Sequence, residues 1–342
     1  MKDSIAMMKT MLEDQNKQSG LYHPGPYWAG YQKRTVLAVE RNGLDDFRNC
    51  PAIGKGFVDV SPRDPWDLVN DPNRWKHRLL RLVARLPKVR SLVKEYRQLV
   101  DLYANRSLHY TSLYYQSAFG QACEEALEGA GWPDSLHGGC QDIVTVNGER
   151  VAAIYVHHLM RLVAFKPYVD FSAKRCAMEI GGGFGSVAHL LLHLNSGIRK
   201  FVYLDIPPMI CIATEYLRHH FGEAVRDYSE TRALDRITFS DDDTLEILCL
   251  CPWQIESLTA NVDLFLNFAS FSEMPQEVVQ NYVEHLKRLC LPEVDLCLLF
   301  NKNKEKAGTT PLASAVAIFS PDFELTPFDA EISRGLYHGR RR

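Results

Sequence analysis

No stretch of this chain approaches the roughly 18 consecutive apolar residues of a membrane-crossing helix. The opening segment carries Asp3, Glu13 and Asp14 and lacks a continuous apolar core, so a secretory leader is not expected. Charge of one sign is missing as well. Lys and Arg number 39 against 42 Asp and Glu, a formal net of −3, which argues against binding nucleic acid through the whole surface. Zinc-type spacing is absent: Cys249 and Cys251 have no second Cys or His pair, and Leu190 stands between His189 and His193 where a metalloprotease helix carries Glu. The run Asp241, Asp242, Asp243 reads as a solvated loop, and no metal is expected. The nine cysteines lie mostly inside apolar stretches, as with Cys176, Cys249, Cys251 and Cys297, which suits reduced thiols in a cytoplasmic protein. No repeat or low-complexity tract interrupts the chain.

What is present is a folded composition, 46% hydrophobic and 24% charged over 342 residues. That length suggests about two units, here residues 1–166 and 167–342. Up to about Pro72 the chain is rich in Gly, Pro and Trp, with a turn at Pro24–Trp28, and reads as an irregular cover with short helices. Trp75, Leu79, Leu82, Val83 and Leu86, then Val89, Leu92, Val93, Tyr96, Val100 and Tyr103, recur at helical spacing on either side of Pro87. A further helical stretch holds Tyr110, Tyr114 and Phe119, and Gly138 and Gly139 open a loop before a helix over Val151–Phe165. The first region is therefore expected to be mainly helical.

After Pro167 strands and helices alternate. Strands are predicted at Cys176–Ile180, Phe201–Ile206, Glu246–Cys251, Val262–Phe268 and Val294–Phe300. Helices are predicted at Val187–Leu194, Met209–Phe221 and Pro275–Leu289. This alternation predicts an α/β fold, a Rossmann-like, mostly parallel sheet with helices on both faces and a ligand site beyond the carboxyl ends of the strands. Arg340, Arg341 and Arg342 read as a frayed tail.

Glu179-Ile180-Gly181-Gly182-Gly183-Phe184-Gly185 falls where a strand ends and a helix begins, so backbone without Cβ can approach a ligand there. A dinucleotide fingerprint counted from Gly181 would have Gly or Ala at position 186, which is Ser186, and a carboxylate at Glu179 is a poor neighbour for pyrophosphate. The same carboxylate suits S-adenosylmethionine (SAM), which has no phosphate and carries a positive sulfonium and ammonium. Asp205, ending the next strand, is placed to accept both ribose hydroxyls or, alternatively, to cap a helix.

The string Glu179–Gly185, followed by Tyr203-Leu204-Asp205-Ile206-Pro207-Pro208, resembles the cofactor motifs of class I small-molecule O-methyltransferases. Asn267-Phe268-Ala269-Ser270-Phe271-Ser272-Glu273-Met274-Pro275 and Pro252-Trp253-Gln254 are similar to the bacterial sugar O-methyltransferase family, over about Val151 to Phe300. The resemblance implies a SAM-binding catalytic domain. It puts Glu179, Gly181, Gly182, Gly183 and Gly185 around the methionine and ribose, Asp205 on the ribose, and Ile206 beside adenine. Trp253 would stand at the adenine edge, and Asn267 and Ser270 along the path to the transferred methyl. Trp253 reads equally well as a core aromatic.

Methyl transfer to an alcohol needs alignment and a base for the hydroxyl proton. Three candidates are in reach: His157 and His158, neighbours on the helix before the glycine string and pointing about 100° apart, and Glu273, after the strand ending at Phe268. The plain alternatives are buried structural histidines and a carboxylate favoured by a helix N-terminus. Arg74, Lys76, Arg78, Arg81, Arg85, Lys88, Arg90, Lys94 and Arg97 give the helical region a basic face. That face is either solvated surface or suited to an anionic or carrier-bound acceptor. Methylation of a small-molecule hydroxyl is the leading expectation. N- or C-methylation, a nicotinamide-dependent oxidoreductase and a non-catalytic scaffold are the rivals. The expected partner is a small-molecule acceptor, with a homodimer allowed and neither membrane nor nucleic acid expected.

Overall fold

The computed structural model describes residues 2–50, 53, 118–140, 143–194, 197–300, 308–330 and 333–342. The basic segment 74–97 and the helical positions Tyr110 and Tyr114 lie outside them. The N-terminal cover is more regular than its composition suggests: helices Lys2–Gln15 and Pro26–Asn42 span 14 and 17 residues. Pro24–Trp28 is a helix start rather than an isolated turn, because Pro26 occupies the first helical turn, where its missing N–H is not needed. Helix Ala118–Leu127 follows. Two antiparallel strands, β1 (Ile143–Val146) and β2 (Glu149–Ala152), are joined at Asn147 and Gly148, whose φ values of 49° and 86° fit the tight turn that hairpins favour. This hairpin takes Val151 and Ala152 from the helix expected over Val151–Phe165, which runs Ala153–Phe165.

The second half forms an eight-stranded sheet: β3 (Cys176–Ile180), β4 (Lys200–Leu204), β5 (Val225–Arg226), β6 (Glu246–Leu250), β7 (Val262–Phe268), β8 (Cys290–Leu299), β9 (Phe323–Ala330) and β10 (Ser333–Arg341), in the order β5-β6-β4-β3-β7-β8-β10-β9. The pairs from β5 to β8 are parallel, and β10 runs antiparallel between β8 and β9. Strands β3 and β6 are buried along their whole length, as expected of parallel strands covered on both faces. The fold is α/β, a Rossmann-like sheet flanked by helices. Among the described residues no helix is long and apolar enough to cross a membrane.

One face of the sheet, with Phe201 and Tyr203, shares a hydrophobic cluster with Met8, Met11 and Val39 of the N-terminal helices and with Tyr155 and Leu159 of helix Ala153–Phe165. The other face, with Met178, Val202 and Phe265, packs on Val279 and Leu286 of helix Gln276–Leu289. The chain end departs from expectation. Arg340 and Arg341 belong to β10, and Asp295 of β8 gathers Lys174 (2.7 Å), His338 (2.7 Å) and Arg340 (3.3 Å), fastening the antiparallel strand into the sheet.

Candidate active site

Strand β3 pairs with β4 on one side and β7 on the other, so the connections leaving its end diverge and open a crevice at the carboxyl edge. The glycine turn fills this switch point. Gly181 has φ 71°, a conformation that L side chains rarely adopt, and a Cβ there would overlap Ser270. Gly182 lies against the Glu179 carboxyl. Gly183 donates its N–H to Asp205 Oδ2 at 3.1 Å and accepts the Tyr203 hydroxyl at 2.9 Å. Gly185 caps helix Ser186–His193 and packs on Leu217.

Two carboxyls face this turn. Glu179, the fourth residue of β3, is buried, and its Oε2 finds no hydrogen-bond partner among the described residues. Burial, reinforced by the charge of Asp205, pushes its carboxyl up to about 8. Asp205 follows β4. Its Oδ1 accepts the Ile206 amide at 2.7 Å, and burial pushes it up to about 7 although the Ile206 and Gly183 amides pull the other way. Asp205 is thus locked across the turn rather than capping a helix. Helix Met209–Phe221 has Pro208 at its cap and no side-chain cap bond.

The remaining expected contacts fall into two groups. Ile206 and Trp253 stand half-buried at the crevice edge. Trp253, in the short helix Pro252–Ile255 after β6, meets the Tyr228 ring edge-on at 6.0 Å, so part of its surface is core packing. Asn267 and Ser270 are buried and turned to the backbone. Asn267 Nδ2 donates to Ile180 O at 2.9 Å and to Ser270 Oγ at 2.6 Å, Asn267 Oδ1 accepts the Phe271 amide at 3.1 Å, and Ser270 Oγ donates to Ile180 O at 2.9 Å. These two side chains brace the end of β3 and the glycine turn.

The candidate bases stand apart. His157 and His158 are both buried, with parallel rings 6.2 Å apart. His158 Nε2 lies 3.0 Å from Ser186 Oγ at the start of the helix after the glycine turn, and His158 Nδ1 is buried with no hydrogen-bond partner among the described residues. Burial and the Arg161 charge hold this imidazole well below its usual range, so it is neutral at pH 7. Glu273 closes the short helix Ser270–Glu273, half-buried, and its Oε2 accepts the Trp28 indole N–H at 2.9 Å.

No family model matches the chain, and no curated protein matches it. Among solved structures it is similar to PigF determined with SAH, at 13% identity over 55% of this chain and 59% of that one, TM-score 0.36. It is similar to the magnesium protoporphyrin IX methyltransferase ChlM of Synechocystis PCC 6803 with bound SAM, at 12% identity over 68% and 97%, TM-score 0.37. It is also similar to the mitomycin 7-O-methyltransferase MmcR, at 14% identity over 100% of both chains, TM-score 0.36.

Sequence reasoning missed the residues that bring the N-terminal helices to the crevice. Trp28 reaches Glu273, and Gln32 Nε2 donates to Pro207 O at 2.6 Å, so helix Pro26–Asn42 lies over the carboxyl edge. Tyr27, Trp28 and Tyr31 form an aromatic group there, with ring centroids 5.4–5.9 Å apart. The spacing of Tyr27, Trp28 and Tyr31 on one helical face was the available signal, masked by the neighbouring Pro and Gly residues.

Proposed function

We propose that this chain is a SAM-dependent methyltransferase that methylates a hydroxyl of a small molecule, sugar-like or otherwise hydroxylated. The observation that carries the reading is the Glu179 carboxyl, buried beside the glycine turn with Oε2 unsatisfied. A buried carboxyl of this kind is stabilised by a cation or a hydrogen-bond donor and repels a phosphate. The ammonium, sulfonium and ribose hydroxyls of SAM supply the former, whereas the pyrophosphate of a nicotinamide dinucleotide brings the latter. The residues present therefore fit SAM. Glu179 and the backbone of Gly181, Gly182, Gly183 and Gly185 would hold its amino-acid end, Asp205 its ribose, and Ile206 and Trp253 its adenine.

When bound, SAM supplies a methyl group activated by a positive sulfur. The chain's own part is to align an acceptor oxygen and take its proton. Glu273 suits the second task because it lies between Ser270 and Met274, which meet Gly181 of the glycine turn, and holds Trp28 of the aromatic group of the cover. His158 is the competing base, held by Ser186, and His157 the third. The aromatic group Tyr27, Trp28 and Tyr31 suits the apolar face of a sugar or an aromatic alcohol, and the basic segment 74–97 suits an acceptor that is anionic or carrier-bound.

Calorimetric titration with S-adenosylhomocysteine (SAH), with NAD and NADP alongside, tests the cofactor. Micromolar binding of SAH alone, weakened at least tenfold in Asp205→Ala, is expected. Binding of a nicotinamide cofactor instead, or no binding of SAH, overturns the reading.

A further inference from the structure

Five histidines gather near the C-terminal end of helix Met209–Phe221, where Leu217 of that helix packs on Gly185 of the glycine turn. His137 stacks face to face on His219, with centroids 3.6 Å apart and planes 5° from parallel. His189 stacks on His220 at 3.8 Å and is anchored by the Tyr155 hydroxyl, 2.7 Å from its Nδ1. His193 is occupied elsewhere, its Nε2 lying 3.2 Å from Ala130 O and 3.1 Å from Gly131 O. Asp134 stands beside the pair His219 and His220. Each of these three offers one ligand atom, and the three atoms lie within 4.8 Å of one another. Among the described residues no other group of His, Cys, Asp or Glu is so placed.

We propose that Asp134, His219 and His220 bind a divalent metal ion of the zinc class. Two imidazoles with one carboxylate favour zinc and its neighbours over the oxygen-seeking magnesium and calcium. Tetrahedral zinc, with bonds of about 2.0–2.1 Å, sets its ligand atoms about 3.3 Å apart. Asp134 and His219 are exposed, so rotation of their side chains closes the remaining gap. His220 supplies a second, independent sign of a ligand: its Nε2 is buried and takes no hydrogen bond among the described residues. The Leu136 amide donates to Asp134 Oδ1 at 3.2 Å, which leaves Oδ2 for an ion. The rings of His137 and His189 each stack on one of the two ligand imidazoles. A helix C-terminus also favours positive charge.

Three protein ligands leave a fourth position for water or an added small ligand. The ion would tie the segment around Asp134, which precedes the β1–β2 hairpin, to a helix of the Rossmann-like half. Occupancy of the site is independent of the cofactor reading.

The test uses the full chain, stripped with a chelator and titrated with Zn²⁺ against a chromophoric competitor. Co²⁺ serves as a spectroscopic probe. The wild-type chain is expected to take up Zn²⁺ stoichiometrically and to show the visible absorption of four-coordinate Co²⁺. Asp134→Asn and His219→Ala change exposed side chains and should keep the fold, checked by circular dichroism, yet bind Zn²⁺ at least tenfold more weakly. The control His285→Gln, whose imidazole lies 3.2 Å from the Tyr22 hydroxyl in another part of the molecule, should bind as the wild type does. Absence of stoichiometric uptake by the wild type, or unchanged affinity in both site variants, overturns the proposal.

Discussion

Gly182 lies directly against the Glu179 carboxyl. A Cβ built on Gly182 would stand 2.6 Å from Oε2 and 2.7 Å from Oε1, inside van der Waals contact. The backbone of Glu179 is held in β3 between β4 and β7, so only its side chain can give way. Gly182→Ala should therefore displace Oε2, which has no hydrogen-bond partner among the described residues. Overpacking of this kind costs about 1–3 kcal/mol, so SAH affinity should fall roughly tenfold or more. Calorimetry on the variant checks this, and wild-type affinity in Gly182→Ala would remove Glu179 from the cofactor site.

The two carboxyls give a pH dependence with a definite sign. Glu179 moves from 4.5 to about 8 and Asp205 from 3.8 to about 7 in the folded chain. Between the ordinary and the raised values the folded state holds protons that the unfolded state has released. Stability of the cofactor-free protein is then fully present below about pH 4 as far as these groups are concerned, and is lost as pH rises toward 8. Binding of a ligand whose ammonium faces these carboxyls, which SAH keeps although its sulfur is neutral, should change the opposite way, tightening as the carboxyls ionise. Thermal melts and SAH titrations at pH 5.5, 7 and 8.5 would show Tm falling and affinity rising. In Glu179→Gln both slopes should flatten, and a slope equal to the wild type's would assign the pH dependence to other groups.

Much of the sheet was legible because its strands are short, mostly apolar and separated by amphipathic helices. Cys176–Ile180, Val262–Phe268 and Met209–Phe221 have the bounds that periodicity gives them. The glycine turn was legible for the same reason, as local chemistry at the end of a strand. Three features were not. The tail Ser333–Arg341 has only Leu336 and Tyr337 as large apolar residues, is broken by Gly335 and Gly339 and runs into Arg340, Arg341 and Arg342, so no alternation marks it as a strand. It becomes one by pairing with β8, where Asp295 meets His338 and Arg340. The β1–β2 hairpin did carry a local signal, Asn147-Gly148, but the apolar run after it resembles a helix start. The bracing role of Asn267 and Ser270 depends on contacts to Ile180 across about 90 positions of chain, which no spacing rule reaches.

The three candidate bases separate by kinetics. A general base contributes about 10² to 10⁴ in rate. Glu273→Gln should lower kcat by that order with SAH affinity unchanged, because the Trp28 indole contact can pass to the amide oxygen. His158→Gln keeps a polar partner for Ser186 and should change kcat less than tenfold, as should His157→Gln. A large loss in His158→Gln with full turnover in Glu273→Gln would transfer the role to the imidazole. Full turnover in all three would leave proton removal to solvent or to the acceptor itself.

Asn267 distinguishes a brace from a lining residue. Its carboxamide is fully buried and joins the end of β3, Ser270 and the Phe271 amide. Truncation in Asn267→Ala leaves the Phe271 N–H without its acceptor and Ile180 O with the Ser270 hydroxyl alone. An unsatisfied buried group costs about 1–3 kcal/mol, and in a chain of 342 residues each kcal/mol lowers Tm by roughly 1–2 °C. The glycine turn loses its support at the same time, so SAH affinity should fall along with Tm. A residue that only touched the transferred methyl would behave differently, lowering kcat while leaving Tm and SAH affinity in place. Melting curves, calorimetry and single-turnover rates on the one variant decide between the two roles.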